Sequence, residues 1–139
     1  MTKHYLKYDG GRSREYEGHK IQKYTGDCAI RAIAIGLGQP YKTTTRELCD
    51  LAIEMGSLPN EKSVYEAYLY SKDYKKHKEP KYEDGTKYKV KELRPRNYIA
   101  SVRVRMDCHM TTVVDNTVKD TWDTRNCYVL NYYTKTKTN

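Results

Sequence analysis

Phenylalanine is absent from this sequence and tryptophan occurs once, yet the chain contains 15 tyrosines. Because aromatic side chains commonly fill protein cores, several of these tyrosines must occupy positions that phenylalanine usually takes. Each buried tyrosine then requires a hydrogen-bond partner for its hydroxyl group. The composition therefore predicts a modest core in which aromatic rings also carry hydrogen bonds.

Long apolar runs and paired cysteines are also lacking. The longest apolar stretch, residues 32–37, is far too short to cross a bilayer, and residues 1–20 contain no apolar signal segment. Four cysteines occur without a CxxC pair, which indicates reduced thiols rather than a disulfide framework. We therefore expect a soluble, cytoplasmic protein with no membrane partner, and 139 residues fit a single domain, 1–139.

The spacing of the cysteines disfavours a metal site. Cys28, Cys108, His109 and Cys127 together contain ligand types that bind zinc, but their spacing matches no compact zinc motif. We therefore expect no metal, and nothing in the sequence indicates a cofactor.

Basic residues outnumber acidic ones by 26 to 18, which gives a net charge of +8. Such a balance favours acidic partners, including nucleic acid and acidic proteins. Tyrosine and lysine alternate over residues 70–91, a pattern typical of single-strand nucleic-acid binding. Acidic residues within that run dilute its positive potential, and the other lysines are scattered. A nucleic-acid partner is therefore the less favoured alternative.

Apolar spacing predicts three helices in the first half of the chain. The first begins near residue 27 and ends near 38, and its small side chains indicate a slim helix buried on several sides. The second and third are predicted over 44–55 and 60–73. Residues 1–20 are interpreted as an arm or a short edge strand, and 74–87 as a solvated loop.

The second half alternates as strands do. Four strands are predicted, with a tight turn at 115–116: residues 98–105, 109–114, 117–122 and 127–133. Helices over 27–73 followed by a sheet over 88–134 predict an α+β fold with an antiparallel β-meander.

Cys28 lies at the first turn of the slim helix, directly after Gly26 and Asp27. Unpaired amide donors and the helix dipole favour a thiolate at that position. A cysteine there can equally be a small apolar residue at the edge of the core. His109 favours the first interpretation, because it begins a predicted strand and the helix packs on that sheet. The two side chains can therefore meet across the interface.

Asp120 and Gln22 complete the candidate site. The turn at 115–116 folds residues 117–122 back beside His109, so Asp120 can accept a hydrogen bond from the imidazole and fix its tautomer. Gln22 precedes Cys28 by six residues, close enough to join the Cys28 amide in an oxyanion hole. Register in short hairpins slips easily, so three rivals for the role of Asp120 remain: Asp115, Asn116 and Asp123.

These residues resemble the papain-like cysteine peptidases. Gly-Asp-Cys-Ala-Ile-Arg-Ala at 26–32 resembles the nucleophile segment that opens the central helix of that family, and Gln22 matches the spacing of the family's oxyanion glutamine. Asp120-Thr121-Trp122 resembles the Asn-Ser-Trp motif, in which the first residue orients the histidine and the tryptophan shields it. The pattern from His109 onward is also similar to small papain-fold proteins of bacteriophages and their hosts.

The resemblance spans 22–38 and 98–133, and it departs from papain in the aspartate at 120 and the alanine after Cys28. It implies a papain-like fold and a cysteine-dependent hydrolase or acyl transferase that acts on amide or peptide bonds. The sequence does not identify the substrate, but the basic charge of the chain would suit an acidic protein. The alternative is a catalytically silent phage-type protein that inhibits a host protein through its basic surface. Either function would operate in the host cytoplasm, and the sequence does not indicate an oligomeric state.

Overall fold

The computed structural model describes residues 3–17 and 26–136. These residues form a mixed α+β fold with one six-stranded sheet. The helices are α1 (Arg12–Glu15), α2 (Cys28–Leu37), α3 (Tyr41–Met55) and α4 (Lys62–Ser71), and a 3-10 turn spans Val90–Glu92. The strands are β1 (His4–Lys7), β2 (Tyr74–His77), β3 (Tyr98–Val104), β4 (Asp107–Val114), β5 (Thr117–Asp120) and β6 (Val129–Lys135).

The sheet has the order β1-β5-β4-β3-β6-β2, and β1 runs parallel to β5 while the other neighbours are antiparallel. The predicted antiparallel meander is therefore wrong beyond β3, β4 and β5, because β6 returns to pair with β3. β6 carries Val129 into one apolar cluster and Tyr133 into the other. A strand with buried side chains on both faces is better covered inside a sheet than at its edge. In a meander, β6 would have been an edge strand next to β5.

Both edges of the sheet lie in segments that have little apolar character. Residues 1–20 are predicted to form an arm or a short edge strand, and the structure has an edge strand there, β1. The prediction of a continuous loop over 74–87 is wrong at its start, since β2 pairs with β6. Strand β2 reads Tyr-Lys-Lys-His, and lysines suit an edge strand because they discourage pairing with other molecules. Its stability comes from backbone pairing, which an apolar pattern does not report.

Helix α2 lies against β4 at the centre of the fold. Six of its ten residues are buried, as the slim apolar pattern predicts. At Gly36 an added Cβ would lie 2.7 Å from the side chain of Ile99, so only glycine permits this close approach of helix and sheet. The Thr112 hydroxyl of β4 donates a hydrogen bond of 2.6 Å to the Ala32 carbonyl. These contacts hold the helix at a fixed height over the strand that carries His109.

Helix α3 begins at Tyr41, three residues before the predicted start. Pro40 precedes it and offers no side-chain cap. The Glu15 carboxylate of α1 accepts hydrogen bonds from the backbone amides of Tyr41 and Lys42, at 2.6 and 3.1 Å. An acidic group near a helix N-terminus also interacts favourably with the helix dipole. The cap therefore comes from a distant part of the chain, and rules that consider only neighbouring residues do not predict it.

Tyrosines occupy core positions on both sides of the sheet, as the composition predicts. The Tyr98 hydroxyl donates to the Val90 carbonyl at 2.9 Å, and the Tyr133 hydroxyl donates to the Glu66 carboxylate. Both rings are almost completely buried. Within the described residues, no helix has the length and apolar character needed to span a membrane.

Candidate active site

Cys28 is the first residue of α2, and its half-buried thiol faces the start of β4. Its sulfur lies close enough to the His109 imidazole and to the Met110 backbone amide for both groups to lower the pKa of the thiol. The helix places the sulfur, and the packing of α2 on β4 brings the imidazole to it. The structure thus brings together two residues that lie 81 positions apart in the sequence.

His109 also contacts Asp120. The distance from His109 Nε2 to Asp120 Oδ2 is 2.8 Å, which leaves the other ring nitrogen, Nδ1, for Cys28. The Thr121 backbone amide donates to Asp120 Oδ1 at 2.7 Å and holds the carboxylate in place. Asp120 itself is only 3% exposed. The imidazole of His109 therefore lies between the Cys28 thiol and the Asp120 carboxylate, and it is hydrogen-bonded to the carboxylate.

The register of the β4–β5 hairpin produces this contact. Thr112 pairs with Lys119, so the next residues along place Asp120 beside Thr111 and diagonal to His109. Diagonal neighbours on one sheet face lie within reach of long side chains. The two-residue turn has positive φ at both positions, as a tight hairpin turn requires, and this sets the register.

The rivals considered for the role of Asp120 have other partners. Asp115 receives a hydrogen bond of 2.6 Å from the Arg96 guanidinium on the protein surface. The side-chain oxygen of Asn116 accepts a hydrogen bond of 2.9 Å from the buried Lys3 ammonium. Asp123 pairs with Arg125 at 2.8 Å. Of the acidic or amide side chains weighed for this position, Asp120 is therefore the one that meets His109.

The surroundings of Cys28 and His109 favour charge separation between them. Burial alone would raise the pKa of the Cys28 thiol, but the hydrogen bonds from His109 and the Met110 amide, with the charges of His109 and Arg31, bring that pKa below its ordinary value. Burial would lower the pKa of His109, but the hydrogen bonds to Asp120 and Cys28 and their charges raise it to about 9. A thiolate next to an imidazolium is a pair suited to nucleophilic attack and general-acid catalysis.

Of the two remaining predicted site residues, Trp122 lies within the described residues and Gln22 does not. The Trp122 ring lies 5.2 Å from the His109 ring, measured between centroids, at an angle of 44°. It is 39% exposed and covers one side of the imidazole, the arrangement expected of a shielding residue. Gln22 lies outside the described residues, so its role as an oxyanion donor stays a prediction.

A buried charge cluster beside the site was not predicted. Asp27 stands at the N-cap position of α2, but its side chain makes no capping hydrogen bond. Its carboxylate instead accepts hydrogen bonds from Arg12 at 3.0 Å, from Tyr41 at 2.8 Å and from Arg31. The spacing of Asp27 and Arg31, four residues apart on one helix, is the signal that could have indicated part of it.

The described residues 3–17 and 26–136 contain no group of three or more metal-ligating side chains that could hold an ion. All four cysteines are free thiols, and Cys108 is exposed.

Comparison of the chain with protein-family models, with curated proteins and with solved structures yields no match.

Proposed function

We propose that this chain is a papain-like cysteine hydrolase or acyl transferase that acts on amide or peptide bonds. The observation that supports the proposal best is that the His109 imidazole lies between the Cys28 thiol, whose pKa it lowers, and the Asp120 carboxylate, which it contacts at 2.8 Å. A nucleophile at a helix N-terminus, a base at a strand start and an acceptor behind the base agree with the order and spacing that suggested the papain-like family. Trp122 beside the imidazole adds a fourth matching position.

The mechanism follows from the positions of these groups. The Cys28 thiolate attacks the carbonyl carbon of the substrate and forms a carbon–sulfur bond, while the carbonyl electrons move to oxygen. The Cys28 backbone amide, with Gln22 as the proposed second donor, stabilises the oxyanion. His109 then protonates the departing amine, the carbon–nitrogen bond breaks, and an acyl-thioester remains on Cys28.

The second half of the reaction decides between hydrolysis and transfer. Water or an amine attacks the thioester, and His109 removes a proton from the attacking group. The carbon–sulfur bond breaks, and Cys28 leaves as a thiolate. Asp120 holds the imidazole in one tautomer and orientation throughout, and its negative charge stabilises the imidazolium.

The charge of the chain supports an acidic protein as the substrate. A net charge of +8 attracts acidic partners and speeds their encounter at low ionic strength. The resemblance to small phage proteins supports the further proposal that the chain is phage-encoded and acts in the host cytoplasm.

The first test measures alkylation of Cys28 by iodoacetamide from pH 5 to pH 10, with each cysteine followed by peptide mass. We expect Cys28 to react rapidly at pH 6 to 7 and His109→Ala to abolish that reactivity. The exposed Cys108 serves as an internal control.

Acid-rich synthetic peptides are then incubated with the wild-type protein and with Cys28→Ala, and cleavage or transfer products are sought by mass spectrometry.

If native Cys28 titrates like an unperturbed thiol, the proposal fails. The alternative, a silent protein that binds and inhibits a host protein, would then be favoured.

A further inference from the structure

Arg31 belongs to α2, the helix that begins with Cys28. Its guanidinium lies between the buried carboxylates of Asp27 and Asp120. One guanidinium nitrogen, Nη1, binds Asp27 Oδ1, and the other, Nη2, lies 3.7 Å from Asp120 Oδ1. Both aspartates are 3% exposed, and the arginine side chain is 12% exposed. A planar guanidinium holds two carboxylates in a more rigid geometry than a lysine ammonium on its flexible stem.

We propose that Arg31 is a positioning residue that holds Asp120 in place to orient His109. This inference rests on the proposed function, because it assigns Arg31 a part in the same reaction. In the proposed role, Arg31 contacts neither the sulfur of Cys28 nor the substrate. It acts through Asp120, whose other carboxylate oxygen accepts the hydrogen bond from His109.

Asp27 anchors the arginine. Its carboxylate is itself held by Arg12 at 3.0 Å and by the Tyr41 hydroxyl at 2.8 Å, so it is attached to α1 and to α3 as well as to α2. An arginine bound only to Asp120 could swing with that carboxylate. Because Arg31 is tied to Asp27, it presents a fixed charge to Asp120. The residue directly before the nucleophile thereby supports the acceptor behind the base.

The charge of Arg31 also reaches the nucleophile. Burial raises the pKa of Cys28, and the charge of Arg31 acts with the contacts of His109 and Met110 to lower it. Within the described part of the chain, Tyr65 of α4 is a further titratable group that interacts with the thiol; burial and nearby charges, including those of Cys28 and the exposed Cys108 of β4, raise the pKa of Tyr65 to about 12. Tyr65 stays neutral below pH 10, and Cys108 can be followed separately by mass.

A purely structural role for Arg31 makes a different prediction. Buried ion pairs often contribute little net stability, because desolvation of the charges offsets their attraction. If Arg31 served stability alone, its loss would lower the melting temperature without altering the titration of Cys28. The Arg31 nitrogen Nε is buried without a hydrogen-bond partner among the described residues, so the side chain is not optimised for stability alone.

The experiment compares pH profiles of Cys28 alkylation in the wild-type protein, Arg31→Gln, Arg31→Lys and Arg12→Gln. We expect Arg31→Gln to raise the midpoint of the profile by about one pH unit, because a positive charge is lost and Asp120 is less firmly held. Arg31→Lys should give a smaller shift in the same direction. Arg12→Gln removes an arginine from the same Asp27 carboxylate but not from Asp120, and should leave the midpoint within about 0.3 units of wild type while also lowering the melting temperature.

Each outcome separates the inference from the function on which it rests. A wild-type profile with a low midpoint and an Arg31→Gln profile that superimposes on it would overturn the role of Arg31 and leave the proposed function standing. An unperturbed wild-type profile would overturn both. If Arg31→Gln does not fold, an Arg31→Lys profile identical to wild type overturns the inference instead.

Discussion

The Thr112 hydroxyl donates a 2.6 Å hydrogen bond to the Ala32 carbonyl, and both residues are buried. This contact joins the middle of α2 to the middle of β4. Cys28 begins α2, and His109 lies near the start of β4. The distance between the nucleophile and its base therefore depends on how the helix sits on the strand, and this hydrogen bond is one of the contacts that set it.

Replacing Thr112 with valine keeps the shape of the side chain and removes the hydroxyl. We expect the free energy of unfolding to fall by about 1 kcal/mol, because one buried hydrogen bond is lost without a cavity. Urea unfolding of Thr112→Val measures this change. Thr117→Val is the control, because the Thr117 hydroxyl makes only a 3.5 Å contact on the surface. Equal losses in the two variants would contradict the importance of the Thr112 bond.

His109 should make stability depend on pH once the Cys28 thiol is removed. Its pKa is raised in the folded protein, to about 9 with Cys28 present, against 6.5 for an ordinary histidine. A raised pKa stabilises the fold fully below pH 6.5, and this stabilisation is lost as the pH rises through the folded value. In Cys28→Ser the hydrogen bond and the charge of Asp120 still raise the pKa of His109, so we expect unfolding to become about 1–2 kcal/mol easier between pH 6 and pH 9.

The wild-type protein should show a flatter curve over the same range. The pKa of Cys28 is lowered from 9.0, so its contribution is present above pH 9 and is lost as the pH falls through the folded value. This contribution opposes that of His109. Urea unfolding at several pH values compares the wild type, Cys28→Ser and Cys28→Ser with His109→Gln. A slope in the double variant as steep as in Cys28→Ser would show that another group is responsible.

The Tyr41 hydroxyl supports the buried Asp27 carboxylate. Tyr41→Phe removes one hydrogen bond to a buried charge and keeps the ring, which packs edge-on against Tyr16 with centroids 6.1 Å apart. We expect a loss of about 1.5–3 kcal/mol, because hydrogen bonds to charged groups are stronger than neutral ones. Thermal and urea unfolding measure it. Tyr128→Phe is the control, because Tyr128 is 43% exposed, and a comparable loss there would refute the explanation.

Glu15 caps α3 from outside that helix. Glu15→Ala removes the acceptor of the Tyr41 and Lys42 amides, and we expect about 1 kcal/mol of destabilisation, the usual cost of losing an N-terminal cap. The neighbouring Glu17→Ala, at an exposed position, is the control. Urea unfolding that gives the same small change for both variants would mean that the cap contributes nothing measurable.

Local sequence patterns were sufficient for the helices α2, α3 and α4 and for the central strands, but they did not predict the short helix α1. The apolar stripe and small residues of α2 predicted both its bounds and its burial, and the pair Asp115-Asn116 predicted the hairpin turn. These features depend on residues within one or two turns of each other. The edge strand β2 escaped prediction because its stability comes from backbone pairing with β6, 52 or more residues away in the chain.

The candidate site shows the same division. The residue types at Cys28, His109 and Asp120 suggested a thiol, a base and an acceptor before any geometry was known. Their contacts arise from two tertiary relationships, the packing of α2 on β4 and the register of β4 with β5. The roles of these residues in a reaction stay predictions, and so does that of Gln22.

Local sequence patterns predicted the helices α2, α3 and α4, the residues that bear reactive groups, and the need for tyrosines in the core. That Asp27 binds two arginines instead of capping its helix, and that Arg31 reaches Asp120, follows from the tertiary packing. The physical reason is that a buried charge must find partners wherever the fold brings them. Those partners lie on α1, α2, α3 and β5, and no spacing along the chain identifies them in advance.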